Sequence, residues 1–378
     1  MEVKITVITV CYNAEDKIRE TVESVLNQTY SNYEYLIIDG ESNDGTTAIL
    51  KDYSERKNIF IYSEKDYGIY NAMNRGIARS SGDYIFFLNV GDKFYNEHVL
   101  ENMCSCMEKN MEIIYYGKVC LMYPDGSEVI EDFSEWDGSL EGKALDGFMP
   151  CHQSIFAPRK LLTDHYFREK YKIRADYEWF VYSISKGSKC KNVPVVVSYY
   201  DTSGVSGKYR NRSLSLQEEK LIVQDYEKCF EQKIGLSEQK KETIKWKYLA
   251  QKHLFMLQLM DQWMELKQRM YHVDTYLWER NYRHIAIYGM GYIGRRLYND
   301  LTGKVTINYV IDQNINNKSI DVRVYSPDDK LETVDAVIVT PIMCFDEIRG
   351  KLSQKMSCPI IAFEDIIHEM IVGLEHRT

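Results

Sequence analysis

The chain has 378 residues, of which 44% are hydrophobic and 27% are charged, so two or three packed domains are expected. The 47 basic and 56 acidic residues give a net charge of −9, which argues against nucleic acid as a partner. The nine cysteines lack metal-site spacing, no apolar stretch approaches the roughly 20 residues that span a bilayer, and no secretory signal follows Met1. We therefore expect reduced thiols and a cytoplasmic location.

Strand and helix patterns alternate along residues 5–90. Apolar, β-branched runs predict strands, and apolar residues at helical spacing predict the helices between them. The predicted strands cover residues 5–10, 35–40, 59–65 and 84–90, and the predicted helices cover residues 14–28, 47–53 and 69–80. This alternation predicts an α/β fold with a mainly parallel sheet and helices on both faces. Because ligands of such sheets bind beyond the carboxyl ends of the strands, one crevice is expected to collect Asn13, Asp39, Asp66 and Asp92.

The remainder of the chain changes character twice. Residues 113–200 mix short strands and helices, and residues 213–280 are predicted to be helical, with an apolar stripe that includes Trp263 and Met264. We expect this stripe to pack against the chain's own domains or against a partner subunit in a homo-oligomer, with peripheral membrane binding as the alternative. Strand and helix patterns resume at residue 284. The predicted domains are therefore residues 1–212, a helical linker 213–280, and a smaller Rossmann-like α/β domain 281–378.

The loops of the first domain carry side chains suited to a pyrimidine nucleotide. Tyr12 could stack on the base, and Asp39 could accept a hydrogen bond from the base N–H group. Asp92 is a suitable ligand for a divalent cation on the diphosphate, and Asn74 and Arg75 could donate to phosphate or sugar oxygens. Each residue alone also has a structural interpretation, since Asp39 could cap a helix and Tyr12 could be a core ring.

The order of these motifs resembles the family-2 glycosyltransferases, which bind nucleotide sugars with an α/β domain. The matching segments are residues 8–46 and 63–92 and, more loosely, residues 151–162 and 171–180. The segment SGVSG at 203–207 is similar to the small-residue loop that follows the catalytic core in the bacterial polysaccharide branch of the family. The resemblance covers about residues 3–210. It implies an enzyme, an inverting hexosyltransferase of polysaccharide biosynthesis.

The resemblance implies a role for each matched position in donor binding. Tyr12 and Asp39 correspond to base-contacting positions, Asp66 and Asn74 to the donor-sugar and phosphate loop, and Asp92 to the last acid of a metal-binding motif. Four further residues complete the predicted donor-binding set: Thr9, Asn13, Arg75 and Asn89. The implied donor is a nucleotide sugar, with UDP favoured by the resemblance, and the implied cofactor is a divalent cation, Mn²⁺ or Mg²⁺.

Catalysis would depend on a carboxylate near the acceptor. Asp176 corresponds to the general base that takes a proton from a glycan or lipid-linked acceptor, and Glu178 is the fallback. His152 falls where the family places a loop over the diphosphate, so it is a second metal ligand or a structural histidine. Asn89 and Gly91 stand where the family's metal motif often has acids. This departure keeps a non-catalytic nucleotide-sugar-binding protein as an alternative function.

The C-terminal domain contains a glycine pattern of the dinucleotide-binding type. Gly289, Gly291 and Gly294 form G-x-G-x-x-G between a predicted strand and helix, and Asp312 follows where an acid could bind ribose hydroxyls. The pattern predicts NAD or another nucleotide in this domain, with a docking or regulatory role as the alternative. An NAD-linked sugar-modifying enzyme acting through this domain is a further alternative function.

Overall fold

The computed structural model describes residues 2–108, 112–123, 126–133, 140–145, 147–201, 209–234, 238–313, 321–341 and 344–375. The chain forms two compact units, Met1–Asn211 with Glu218–Ile244, and Arg212–Gln217 with Lys245–Thr378. Within the described ranges, no helix has both the length and the apolar content required to cross a membrane. The SGVSG segment at 203–207 lies outside the described residues.

The first unit is built on a nine-stranded sheet. Its strands are β1 (Ile5–Cys11), β2 (Tyr33–Asp39), β3 (Ile59–Ser63), β4 (Tyr84–Phe87), β5 (Lys93–Phe94), β6 (Ile113–Met122), β7 (Glu128–Glu131), β8 (Ile155–Pro158) and β9 (Lys189–Asp201). Its helices are α1 (Ile18–Leu26), α2 (Thr46–Lys51), α3 (Ile69–Arg79), α4 (Val99–Cys106), α5 (Leu140–Leu145), α6 (Arg159–Asp164) and α7 (Ala175–Ser185). Most of α8 (Tyr209–Ile234) also belongs to this unit, and a single 3-10 turn covers His152–Ser154.

The sheet changes from parallel to mixed along its width. The strand order is β3-β2-β1-β4-β8-β6-β9-β5, with β7 paired to β6. Strands β1 to β4 are mutually parallel, whereas β8 is antiparallel to both of its neighbours, β4 and β6. The parallel register aligns Cys11 with Asp39 and Asp39 with Ser63, so β1, β2 and β3 end at one edge. The predicted α/β class is confirmed, and its parallel part lies where the sequence indicated it.

Helices cover both faces of this sheet because the buried strands alternate the direction of their side chains. On β1, Ile8 and Val10 pack into a core shared with residues of α3, α7 and α8. Ile5 and Val7 pack into a second core, shared with residues of α1 and α4. Side chains of one strand therefore stabilise two layers of helices.

Helix α1 begins later than the sequence pattern indicated, at Ile18 instead of Ala14. The intervening residues form a turn, in which the backbone N–H groups of Lys17 and Ile18 both donate to the Ala14 carbonyl. Thr46 Oγ1 accepts the Ala14 N–H, and Asp44 accepts the N–H of Glu15. These long-range bonds hold the turn outside the helix, and no local sequence pattern reports them.

The second unit contains a five-stranded parallel sheet. Its strands are β10 (His284–Tyr288), β11 (Thr306–Ile311), β12 (Arg323–Tyr325), β13 (Ala336–Val339) and β14 (Ile360–Ala362), in the order β12-β11-β10-β13-β14. The helices that follow α8 are α9 (Glu238–Gln268), α10 (Val273–Glu279), α11 (Tyr292–Leu301), α12 (Phe345–Leu352) and α13 (Phe363–Glu375). An all-parallel sheet with the first strand at its centre is the doubly wound arrangement. The second unit therefore has this α/β arrangement, and its identity as a separate Rossmann-like domain with bounds 281–378 stays a prediction.

Part of the predicted apolar stripe packs inside the second unit. Trp263 is buried, and its ring meets Phe363 edge-on at 4.8 Å between centroids. Lys267 also pairs with Asp300 at 2.5 Å. Met264, the next residue after Trp263, is exposed. Packing against the chain's own residues thus accounts for Trp263, and oligomerisation and membrane binding through the stripe stay predictions.

Candidate functional site

A cleft of about 750 Å³ opens at the carboxyl ends of β1 and β4. The loop after β1, the segment after β4 and the first turns of α3 form most of its wall. Five predicted site residues line it together: Tyr12, Asn13, Asp66, Asn89 and Asp92. The parallel register of the first strands brings these separate loops to one edge, as expected for a ligand site of this fold.

The loop after β1 presents an aromatic ring to the cleft. Asn13 has a left-handed backbone conformation, with φ of 49°, which asparagine tolerates better than most residues. Its N–H donates to Ser42 Oγ at 2.8 Å, and its side-chain oxygen accepts the Asn43 N–H at 2.9 Å. These bonds fix the chain where it turns, while the preceding Tyr12 side chain remains 60% exposed. An exposed ring at a cleft wall is suited to stacking on a flat ligand.

Asp39 lies behind the cleft and does not line it. Its carboxylate is fully buried and accepts hydrogen bonds from Ser42 Oγ at 2.5 Å and Ser63 Oγ at 2.6 Å. The next residue, Gly40, leaves room for cleft residues, because a Cβ there would stand 2.5 Å from Asp66 Oδ2 and 3.3 Å from the Tyr12 ring. Asp39 thus stabilises the loop after β2 through Ser42 and Ser63, and its contact with a nucleotide base stays a prediction.

Asp92 is a buried carboxylate at the floor of the cleft. It is 4% exposed, and its Oδ1 accepts the backbone N–H of Asp201 at 2.9 Å. Burial raises the pKa of Asp92 to about 7, against the opposing effects of hydrogen bonds from Asp201 and Gln153. Lys17 also faces the cleft and pairs with Asp201 at 2.5 Å. The cleft therefore holds a carboxyl group that is costly to ionise without a cation.

The raised pKa of Asp92 predicts a pH-dependent gain in stability for Asp92→Asn. The wild-type carboxyl is harder to ionise when folded, so its stabilising protonated form is lost as pH rises towards 7. The neutral amide keeps the shape and avoids this loss. We expect the variant's unfolding free energy to exceed that of wild type by on the order of 1–3 kcal/mol at pH 8, in metal-free buffer. Urea unfolding at pH 8 and near pH 4 measures it, and an equal difference at both values would contradict the assignment.

The donor atoms near Asp92 suit a hard cation that a substrate helps to hold. Asn89 Oδ1 is buried and has no hydrogen-bond partner, and Asn89 lines the same cleft. Carboxylate and amide oxygens are ligands for Mg²⁺, which commonly takes one or two carboxylates with substrate phosphates and water. Among the described residues, no group of three His, Cys, Asp or Glu side chains forms a self-sufficient metal site. The residues present thus fit a cation shared with a diphosphate.

A second, smaller cavity contains the predicted base. Its volume is about 10 Å³, and its lining includes Asp176, His152, Phe87 and Trp179. Asp176 Oδ1 accepts hydrogen bonds from the backbone N–H of Tyr177 at 2.8 Å and from a tyrosine hydroxyl of α3 at 3.0 Å. The carboxylate is therefore oriented by two donors on one oxygen.

His152 lies beside the predicted base. Its Nδ1 is 3.5 Å from Asp176 Oδ2, and its Nε2 is buried without a partner. Burial lowers the pKa of His152, against the opposing charge of Asp176, so the neutral ring is favoured. The adjacent Gln153 lines the larger cleft. The turn at His152–Ser154 therefore contributes to both cavities, and the role of His152 as a metal ligand stays a prediction.

Besides Asp39, four predicted residues of the first unit line neither cavity. Thr9 is buried and donates to the Leu88 carbonyl. Asn74 uses both ends of its amide on Phe167, donating to its carbonyl and accepting its N–H. The other two make ion pairs, Arg75 with Glu64 and Glu178 with Arg168, and Glu178 also shares a hydrogen bond with His165. Their contacts are structural in this state of the protein, and Glu178 is fully buried.

The predicted C-terminal glycine motif has the tight turn that its pattern indicates. Gly289 has φ of 88°, and a Cβ on Gly294 would stand 1.9 Å from the Gly289 carbonyl oxygen. Gly291 precedes α11 directly. Asp312 Oδ2 accepts the N–H of Met290 at 2.5 Å, so this carboxylate stabilises the loop itself. Nucleotide binding by the motif stays a prediction.

Sequence reasoning missed several residues of the larger cleft. Lys17 and Asp201 are 184 positions apart and meet only because β9 returns beside the sheet edge. No local motif marks either residue. Gln153 could have been found, since it follows His152 within the matched segment CHQS.

The α/β fold places a cleft at the carboxyl ends of its parallel strands, and comparisons identify the family. The sequence profile described as Glycosyl transferase family 2 matches residues 6–128. An uncharacterised glycosyltransferase of Mycobacterium tuberculosis is 40% identical over 217 residues, which cover 55% of this chain and 79% of that protein. The chain belongs to glycosyl transferase family 2, as the sequence resemblance predicted.

Other similar proteins extend the comparison. A Bacillus subtilis glycosyltransferase named for teichuronic acid biosynthesis is 36% identical over 126 residues, covering 32% of this chain and about half (49%) of that protein. Staphylococcus aureus TarS (1–349) aligns with a TM-score of 0.48 at 17% identity, covering 65% of this chain and 70% of that one. The mannosyltransferase PcManGT of Pyrobaculum calidifontis, solved with GDP-Man and Mn²⁺, aligns with a TM-score of 0.46 at 18% identity, covering 57% and 62%.

Proposed function

We propose that this chain is an inverting glycosyltransferase that moves a sugar from a nucleoside-diphosphate sugar to a hydroxyl of a polysaccharide or lipid-linked acceptor. The main support is the cleft in which Tyr12, Asp66, Asn89 and Asp92 meet at the carboxyl edge of the sheet. Membership of family 2 supports the same activity. The name of the Bacillus subtilis relative supports a cell-surface polysaccharide as the product.

The donor would lie along the larger cleft. A volume of about 750 Å³ is within the usual range of roughly 300–1,000 Å³ for small-molecule sites. Tyr12 would stack on the base, which the family resemblance favours as uracil, and Asp66 would accept hydrogen bonds from the donor sugar. Asp66 already accepts the Gly68 N–H at 2.9 Å, which fixes its loop at the start of α3.

The diphosphate would lie near Asp92 and Asn89. When bound, Mn²⁺ or Mg²⁺ supplies positive charge that offsets the charge of the leaving diphosphate. Asp92 and the unpartnered Asn89 Oδ1 would hold the cation, and Lys17 would add a positive charge to the same end of the cleft. A motif with Asn89 and Gly91 in place of acids would therefore still support cation binding, because the diphosphate would supply further oxygen ligands.

Asp176 would act as the general base. The acceptor oxygen attacks the anomeric carbon as the bond from that carbon to the diphosphate oxygen breaks, and the hydroxyl proton passes to Asp176. One displacement inverts the configuration, and the nucleoside diphosphate leaves with the bonding electrons. The Tyr177 N–H group and the α3 tyrosine hydroxyl orient the carboxylate for this transfer.

A donor-hydrolysis assay tests the proposal on the full chain. UDP- and GDP-sugars are supplied with and without Mn²⁺, and release of nucleoside diphosphate is measured. We expect metal-stimulated release with at least one donor. Binding without release under all conditions would favour a non-catalytic nucleotide-sugar-binding protein, and NADH production in a parallel assay with NAD would favour chemistry at the C-terminal domain.

A further inference from the structure

Helix α8 carries a buried carboxylate that binds the backbone just before the proposed base. Glu218 is 4% exposed. Its Oε1 accepts the N–H of Lys172 at 2.5 Å, and its Oε2 accepts the N–H groups of Ile173 at 2.9 Å and Arg174 at 2.8 Å. One side chain therefore fixes three consecutive peptide groups.

These peptide groups lead directly into α7, the helix that carries Asp176. Arg174 is the N-cap of α7, and its own side chain makes no cap hydrogen bond. The first N–H groups of a helix lack intrahelical partners and carry partial positive charge, so an anion near them is stabilising. Glu218 supplies that anion from another helix. Asp176 is the second residue of α7, so the position of this turn sets the position of its carboxylate.

The same turn also orients the hydroxyl that binds the base. Tyr70 of α3 places its hydroxyl 2.7 Å from the Ile173 carbonyl and 3.0 Å from Asp176 Oδ1. A shift of residue 173 would therefore move both Tyr70 and Asp176. Glu218 holds the N–H of the residue whose carbonyl meets the Tyr70 hydroxyl.

Helix α8 packs against the core of the first unit, and this packing fixes the position of Glu218. Ile222, Val223 and Phe230 of α8 are buried in the core that also contains residues of α3 and α7. The Tyr226 hydroxyl donates to the buried Glu178 of α7. The buried apolar side chains and this hydrogen bond together hold α8 against α7.

We infer that Glu218 is a positioning residue for Asp176. Glu218 affects the rate of sugar transfer through the position of Asp176, without contacting either substrate. The inference rests on the proposed function, because it assigns Asp176 as the base. Displacing a catalytic group by about 1 Å can lower a rate by about 100-fold. No matched family motif extends to residue 218, so sequence resemblance alone does not assign this role.

The division of the effect between kcat and KM provides a readout that a general loss of structure would not give. Asp176 would act on the acceptor proton, whereas the larger cleft would bind the donor. Displacement of Asp176 should therefore lower kcat and leave the donor KM unchanged.

The test compares Glu218→Gln with Asp225→Asn in the full chain. Asp225 lies on the same helix and also binds the segment before α7, through Lys170 and Tyr171, but it is far more exposed. For Glu218→Gln we expect kcat to fall about 10–100-fold at unchanged donor KM. For Asp225→Asn we expect wild-type kcat and KM. The rate of sugar transfer or donor hydrolysis is measured over a range of donor concentrations.

A second variant separates the effect of the Glu218 charge from the effect of its side-chain length. Glu218→Asp keeps the charge but shortens the side chain, so we expect a kcat between those of wild type and Glu218→Gln at unchanged donor KM. Wild-type kcat in Glu218→Gln would overturn the inference, as would failure of both variants to fold, which would indicate a structural role alone. Asp176→Asn measured alongside distinguishes the causes. If that variant stays active, the base assignment fails; if it is inactive and Glu218→Gln is normal, only the positioning role fails.

Discussion

Asp176→Asn is expected to lower turnover by at least about 100-fold while nucleotide binding persists, because general-base catalysis typically contributes about 10²–10⁴-fold. The amide cannot take the acceptor proton at neutral pH. It can still accept the hydrogen bonds that Asp176 receives from Tyr70 and Tyr177 on one oxygen. The loss should therefore fall on kcat. Steady-state transfer rates and calorimetric binding of UDP to the same preparation measure the two quantities.

Asp164→Asn is a matched control for this substitution. Asp164 ends α6 and is exposed, so its neutralisation changes the same charge without touching either cavity. The control should retain wild-type kcat. An Asp176→Asn enzyme with more than about a tenth of wild-type turnover would exclude Asp176 as the base, and a parallel loss of UDP affinity would indicate a distorted site instead.

Asp92→Ala is expected to lower turnover by about 100–1,000-fold and to abolish stimulation by Mn²⁺. Removal of one group that stabilises developing charge commonly costs this much. Asp92 is the buried carboxylate of the cleft floor, and Lys17 cannot replace it as a cation ligand because its ammonium group is itself a cation. Mn²⁺ titrations of UDP affinity by calorimetry, beside the rate assay, measure the loss without requiring turnover.

A surface control separates the cleft from the overall charge of the protein. Asp52→Ala removes an exposed carboxylate that pairs with Arg19 at 3.1 Å, outside the cleft. It should leave both the rate and the Mn²⁺ dependence unchanged. If Asp92→Ala retained Mn²⁺-dependent UDP binding equal to that of wild type, the cation would have to be held elsewhere.

The parallel part of the fold was predictable because each strand carries its own signal. Short apolar runs mark β1 to β4, and the polar residues after them mark the edge where Tyr12, Asn13 and Asp66 meet. The mixed part was not predictable in detail. Strand β9 is thirteen residues long and half exposed in places, and its pairing with β6 contains register shifts that no periodic pattern reports.

Helix α3 lies where the sequence predicted it, but two side chains predicted to bind the donor do not line the cleft. Its first turns line the cleft through Ile69 and Ala72. Successive residues of a helix point about 100° apart, so Asn74 and Arg75 face other directions. Asn74 binds Phe167, and Arg75 approaches Glu64. Sequence proximity to a phosphate loop therefore did not determine which side chains enter the cleft.

The attachment of α8 also limits how such chains can be recombined. Truncation of the chain after residue 212 would remove Glu218 and Tyr226, which bind the backbone before α7 and the side chain of Glu178. A chain that ended at residue 212 would keep every cleft residue and still lose the carboxylate that binds the backbone before Asp176, the proposed base. Exchange of C-terminal modules between relatives would thus preserve activity only when the junction lies downstream of Phe230.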